Sequence, residues 1–490
     1  MKQFIKKIDR HRTSVYLSFL MSIFLFIACQ KKSLELAPAT SISELEAYST
    51  PEKMLAQVNG LYAQLSNASY FGGRHIVFNE QRGDEFSQND GNNSTGANVW
   101  NQSISASGDF VNAVWTAAYR TINSANILLE RLDDQTFLAE DVKQNYAAEA
   151  RFVRAFAYFS LVQTYATPYN QDAQSLALPL RLTAELSGGN NDLTFSTVNE
   201  VYDQILQDLD AAEQGLPIAY TNALLNVSRA HKATAIALKT RVYLTKSDYG
   251  KVVEEAAKLV PANPPFQYNQ SAISHHLEAD FTILFTGSYT GNEAIFSIPF
   301  VIASEAPGQQ SALAYNYLSP VVYLNENGIV SHAVFAETNS TDSRKKLVIT
   351  NANGQKLLNK FPHNGSPYLD YIPLIRYAEV LLNYAEAAAQ RNDLSQASAL
   401  LHAVRHRADP TFVFNSGTAT QAELLETIFT EKRIELLGEG FRTGELFRKI
   451  LPLPAKTGNA GTAPQILPTD NNYTWPIPSG ELAYNKLAPR

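Results

Sequence analysis

Residues 374–407 constrain the fold more than any other stretch of this chain. Leu374, Ile375, Ala378, Leu381, Leu382 and Ala385, continued by Ala388 and Ala389, recur at helical spacing. Asn392-Asp393 then makes a turn, and Leu394, Ala397, Leu400, Leu401 and Val404 form a facing stripe that Asp409-Pro410 ends. The spacing predicts helices over 374–390 and 394–407 that fold back on each other. Alanines at the contact let two helices approach closely, as in tetratricopeptide-like units. A second pair is predicted at about 229–246 with 248–260. No even 34-residue period links the pairs.

The rest of the chain is read around these hairpins. Thr50-Pro51 opens a helix carrying Met54, Leu55, Val58, Leu61, Tyr62 and Leu65. Polar, Gly-rich sequence from Asn67 to Gly96 reads as loop. A second helix carries Val111, Trp115, Tyr119, Ile122 and Leu129. A third, from about Asp141 to Tyr165, is apolar over much of its circumference and belongs between other helices. Thr197 and Glu200 form a capping box for the next helix, which Gly215 and Pro217 stop. Between 261 and 370 the pattern turns to Pro, Gly, Asn and Tyr with short apolar runs, Ala294–Ile298 being the expected strand. The fold class is therefore mainly α, with a loop-rich, partly β insertion as the ligand face. The expected organisation is a leader over 1–28, a linker over 29–50, a helical region over 51–260 and a second region over 261–490. Within the second region the insertion gives way to helices at 371–450 and a C-terminal tail.

Cys29 is the sole cysteine. It cannot pair within the chain, and it follows a basic start and an apolar run from Val15 to Ile27. That run is short of the roughly 20 residues a spanning helix needs and fits a signal peptide instead. Phe26-Ile27-Ala28-Cys29 resembles a bacterial lipobox, with Phe at the position that is usually Leu. The expectation is cleavage after Ala28 and an acyl anchor on Cys29. The formal charge of the whole chain is −7; the first 28 residues contribute +4, so the remainder carries −11. Such a body is a poor partner for phosphate backbones, and no nucleic acid is expected.

Several separated motifs point one way. Gly83-Asp84-Glu85 follows the first helix. Trp115, Tyr119, Ile122 and Asn126 share one helix, and Ala148-Glu149-Ala150-Arg151-Phe152 continues to Arg154 and Phe156. Asn292-Glu293-Ala294-Ile295-Phe296, Asp342-Ser343-Arg344 and Arg376-Tyr377-Ala378-Glu379 follow. Glu431 to Glu435 leads to Glu439-Gly440 and Arg442, and Trp475-Pro476-Ile477-Pro478 precedes Glu481-Leu482. In this order they resemble the SusD/RagB family, with Ser343 for the usual Pro and Asn485-Lys486 for Asn-Pro. The resemblance implies a helical scaffold, no enzymatic activity, and an outer-membrane lipoprotein facing the cell exterior. It also implies delivery of a captured glycan to a SusC-like TonB-dependent transporter. Lys31-Lys32, after the expected anchor, run against the acidic residues that accompany surface export in this lineage. Peptide is the alternative cargo; a tetratricopeptide adaptor and a lipid-anchored glycoside hydrolase are the competing classes. The hydrolase would need two carboxylates about 5–10 Å apart in a cleft.

Trp100 with Asn101, in polar sequence near Asp84, offers a ring for stacking and an amide for hydroxyls. Tyr70, Tyr315 and Tyr317 are further ligand candidates, with Phe71 and Tyr323 behind them. Trp115 and Trp475 are expected to be packed. Glu435 and Glu439 are expected in salt bridges, since arginine neighbours make carboxylates poor general acids. His402 and His406 stand four apart but lack a third ligand, and Asp84-Glu85 with the Asn/Asp turn at 89–93 lacks EF-hand spacing. No metal, no cofactor and no catalytic residue is expected.

Overall fold

In the computed structural model, which describes residues 44–189, 191–287, 289–414 and 419–489, the helices beginning at Pro51 and Val198 start where Thr50 and Thr197 cap them. The leader and Cys29 lie outside the described residues. The described residues fall into two compact units that divide between Gln57 and Val58. In the first, a short helix at Glu44–Ala47 precedes the start of α1 (Pro51–Leu65). There Lys53 donates to Thr50 Oγ1 through its backbone N–H at 3.3 Å and to Glu46 Oε1 through Nζ at 2.6 Å.

The second unit begins its helical run with α2 (Arg74–Arg82), α3 (Ala97–Trp100), α4 (Asp109–Asp133) and α5 (Glu140–Tyr165). The helix α2 replaces the loop expected over Asn67–Gly96. Its polar residues disguise it, because Gln81 and Arg82 are buried on polar partners outside the helix. Gln81 Nε2 donates to Gln88 Oε1 at 2.8 Å, and Arg82 Nη2 donates to the Asn472 carbonyl at 2.6 Å. The helix α5 is buried nearly all round from Ala148 to Tyr165, lying between α4 and α6 (Val198–Gly215). Phe152, Phe156 and Leu161 each contribute roughly 1.5–3 kcal/mol by leaving water. The capping box of α6 is formed as expected: Thr197 Oγ1 accepts from Glu200 N at 3.2 Å, and Glu200 Oε2 accepts from Thr197 N at 2.8 Å.

The two hairpins are α7 (Lys232–Thr245) with α8 (Tyr249–Ala256), and α9 (Tyr377–Gln390) with α10 (Leu394–Ala408). One turn is built twice. Ser247 and Asn392 take left-handed backbone (φ 58° and 65°), and the aspartate after each caps the returning helix. Asp248 Oδ1 accepts from Lys251 N, and Asp393 Oδ1 from Gln396 N, both at 3.1 Å. Since α8 packs on α9, the hairpins are neighbours although an insertion separates them in sequence. Helices α11 (Gln421–Glu435) and α12 (Arg442–Arg448) follow.

Four short strands tie the insertion to the helices. They are β1 (Phe86–Gln88), β2 (Ala294–Ile298), β3 (Val322–Leu324) and β4 (Ile372–Arg376). β1 pairs antiparallel with β3, and β2, the expected strand, pairs antiparallel with β4. Leu374 and Ile375 therefore lie on a strand and not on the helix expected there. A fully buried strand shows a continuous apolar run, which periodicity alone cannot tell from a helix.

The separated motifs meet around β4. Arg376 Nη1 donates to Glu293 Oε1 at 2.8 Å and to Glu435 Oε1 at 2.6 Å, while its Nε donates to Glu439 Oε2 at 2.8 Å. Arg344 bridges Asp342 and Glu435, at 2.8 and 2.7 Å, and also pairs with Glu431. Burial by itself would raise the Glu435 carboxyl, but Arg407, Arg376 and Arg344 together hold it well below the usual range. Such carboxylates are ion-pair scaffolding, as their arginine-rich sequence suggested.

Candidate ligand-binding face

The structure separates the aromatic candidates by burial. Trp100 is fully buried, and its Nε1 donates to the Phe86 carbonyl at 3.0 Å. The exposed loop position expected for it is corrected. Gly96, at φ 88°, starts α3 and turns the ring under β1, with Lys456 Nζ 5.5 Å from its centroid. Tyr70 is buried with its hydroxyl against Ser160 Oγ, and Phe71 packs beside it. Tyr317 is buried too, stacked on Phe86 at 5.1 Å and donating to the Gly438 carbonyl at 3.0 Å. None of these rings is presented to a ligand in this conformation.

The polar candidates are engaged locally. Asp84 is half-buried and accepts from Arg442 Nε at 2.5 Å. Burial pushes its carboxyl up, but the Arg442 hydrogen bond together with the charges of Arg442 and Arg433 leaves it low. Glu85 accepts from Arg433 Nε at 2.7 Å, so Asp84 and Glu85 both face guanidinium groups. Asn101 Oδ1 accepts from Ser103 N at 3.1 Å. Tyr323, half-buried, donates to Asn459 Oδ1 at 3.3 Å. Trp115 and Trp475 are packed, as expected. His402 and His406 are exposed with parallel rings 4.6 Å apart, and no group of three metal-ligating side chains occurs among the described residues.

Tyr315 is different. It is half-buried on a short helix (Leu313–Leu318), and its ring meets Tyr368 edge-on at 6.4 Å. Tyr368 belongs to the segment from Phe361 to Tyr371, which also holds His363, Asn364 and Asp370. Asn364 Nδ2 donates to Ser319 Oγ at 2.7 Å, tying that segment to the Tyr315 helix. On its other side Tyr371 stacks on half-buried Tyr289, with centroids 4.2 Å apart and planes 9° from parallel. The Tyr289 hydroxyl lies 3.4 Å from His363 Nδ1, and His363 pairs with Asp370. Burial raises the Asp370 carboxyl despite that histidine. Burial, then Asp370, also raises the Tyr289 phenol, so it stays a donor at neutral pH.

This arrangement sets the half-buried rings of Tyr289, Tyr315 and Tyr368 beside an exposed imidazole and an exposed amide, with buried Tyr371 backing Tyr289. Rings offer faces for apolar C–H groups and the polar tips offer partners for hydroxyls. Tyr289, His363, Asn364, Tyr368 and Tyr371 were not singled out in the sequence. The available signal was the run of Pro, His, Asn, Gly and Tyr over 362–371.

Relatives of known fold share this arrangement of helices. Residues 34–244 match the family described as starch-binding and associating with the outer membrane, and residues 280–487 match the SusD family. A SusD superfamily protein from Bacteroides fragilis superposes with a TM-score of 0.81 at 31% identity, over 90% of this chain and 99% of that one. The chain belongs to the SusD/RagB family. Among other SusD/RagB relatives, SusD-like protein P2 of Formosa agariphila is 26% identical over 96% of this chain and 97% of its own. A laminarin-binding SusD-like protein has the same fold at 20% identity, with a TM-score of 0.67 over 90% of this chain and 98% of that one. No helix among the described residues is long and apolar enough to cross a membrane.

Proposed function

We propose that this SusD/RagB protein captures oligosaccharides at the Tyr289–Tyr371 and Tyr315–Tyr368 face and delivers them to a SusC-like TonB-dependent transporter. It acts by binding and not by catalysis, held at the outer membrane by an acyl anchor on Cys29 and facing the cell exterior. The observation that carries the reading is the half-buried Tyr289 ring, held parallel on buried Tyr371 at 4.2 Å, next to an exposed His363 and Asn364. The starch-binding description of the matching family and the laminarin-binding relative support a glycan as ligand.

Calorimetry of wild type and Tyr289→Ala against laminari-oligosaccharides, malto-oligosaccharides and short peptides tests it. Truncating an aromatic anchor costs about 2 kcal/mol or more, a loss of roughly thirtyfold in affinity. Unchanged sugar affinity in Tyr289→Ala would remove this face from the proposal. Binding of peptides alone would replace the glycan by a peptide cargo. Co-purification of a large β-barrel with the tagged protein in mild detergent is expected; recovery of the chain alone counts against the transporter.

A further inference from the structure

A second cleft lies on the helical half of the larger unit and shares no residue with the tyrosine face. Its floor is the outer side of α4, carrying Asn112, Trp115, Thr116, Tyr119 and Asn123. One wall is the segment bearing Arg181 and Glu185; the other is the C-terminal helix α13 (Ser479–Tyr484) with Pro478 before it. The cleft, open on one side, offers about 540 Å³, within the roughly 300–1,000 Å³ of small-molecule sites.

The walls are fixed. Asn123 Nδ2 donates to the Glu185 carbonyl at 2.9 Å, and its Oδ1 accepts from Glu185 N at 2.8 Å. Asn485, buried just after α13, makes the same double contact with Leu193, at 2.8 and 3.0 Å. Arg181 Nη2 reaches Glu481 Oε1 at 3.5 Å, joining the two walls. Tyr119 donates its hydroxyl to the Pro179 carbonyl at 3.0 Å, so its ring is held on the floor. Preorganised walls reduce the ordering cost of binding.

What remains unspent defines the ligand. Among the described residues, the side chains of Gln64, Thr116, Arg120, Ser124 and Glu185 line the cleft without a hydrogen bond or ion pair. They comprise a donor-only guanidinium, an acceptor-only carboxylate, an amide and two hydroxyls. Tyr484, 75% exposed, adds a ring at the rim. An apolar ligand would desolvate Arg120 and Glu185 with nothing to pair them. An anion meets Glu185 and Glu481, and a cation meets Arg120 and Arg181. A neutral polyhydroxylated molecule uses donors and acceptors together and lays C–H faces on Tyr119 and Tyr484.

We infer that this cleft is a second binding site, for a neutral oligosaccharide, independent of the tyrosine face. The two sites let one protein hold a glycan chain at two points, or two chains at once.

Calorimetric titration of the full protein with neutral gluco-, xylo-, manno- and galacto-oligosaccharides tests the inference. Two equivalents are expected for at least one of them. Arg120→Ala, at an exposed position, should weaken one equivalent at least tenfold and leave the other, whereas Tyr289→Ala should do the reverse. Tyr484→Ala should repeat the Arg120→Ala result, with circular dichroism unchanged in both. A single equivalent indifferent to Arg120→Ala and Tyr484→Ala, or no binding sensitive to either in the whole panel, would overturn the second site. Loss of sensitivity to Tyr289→Ala alone would count against the first face and leave this cleft standing.

Discussion

Trp100 shows how far a single residue's surroundings decide its role. Polar neighbours in sequence suggested an exposed ring, yet the indole is enclosed and its N–H is satisfied by the Phe86 carbonyl. Trp100→Ala is therefore expected to destabilise the fold by about 3–5 kcal/mol, through lost burial and the cavity left behind. Urea denaturation measures this, and an unchanged midpoint would contradict the burial. His231 carries a pH dependence. It is buried, its ring stacks on His275 at 5.4 Å, and burial and then the neighbouring His275 depress its pKa to about 3. The unfolded chain takes up a proton below about pH 6.5 that the folded chain refuses until far lower pH. The contribution to stability is thus complete above that value and declines as the pH falls. His231→Phe keeps a ring but removes the titration. The difference in melting temperature between about pH 7 and pH 5 should shrink in this variant, and an equal difference would refute the assignment.

At the scale of elements, the junction between β4 and α9 joins parts of the chain far apart in sequence. Arg376 ends the strand, and its guanidinium gathers Glu293 from beside β2 and Glu435 and Glu439 from the end of α11 and beyond. Removing one partner from a buried network leaves uncompensated charge. Arg376→Met is expected to cost about 3–5 kcal/mol in chemical denaturation, and a loss well under 1 kcal/mol would show that the remaining cations suffice. The helices and their turns were readable because their causes are local. Asp393 caps α10 three residues on, and Asn392 tolerates left-handed backbone without distant help. The strand β4 was not readable, since only its pairing with β2 separates Leu374 and Ile375 from the helix that follows.

For the whole molecule, the proposed anchor on Cys29 bears on where the binding face operates. Fatty-acid-analogue labelling of the protein in its native envelope is expected to mark wild type and not Cys29→Ala; equal labelling of both would remove the anchor. The order of motifs along the chain, the capped helices and the two hairpins were determined by sequence alone, because each rests on contacts within a few residues. That Glu435 and Glu439 sit in salt bridges was expected from the arginine-rich block around them, but their partner Arg376 comes from a distant strand, which only the tertiary structure brings there. Which tyrosines are presented was decided only by tertiary structure. Tyr317 and Tyr315 are two residues apart, yet one is sealed against Phe86 and Gly438 while the other stays half-exposed beside Tyr368. Burial of a ring depends on what the distant segments 86–88 and 361–371 place over it, and no local pattern of residues carries that information.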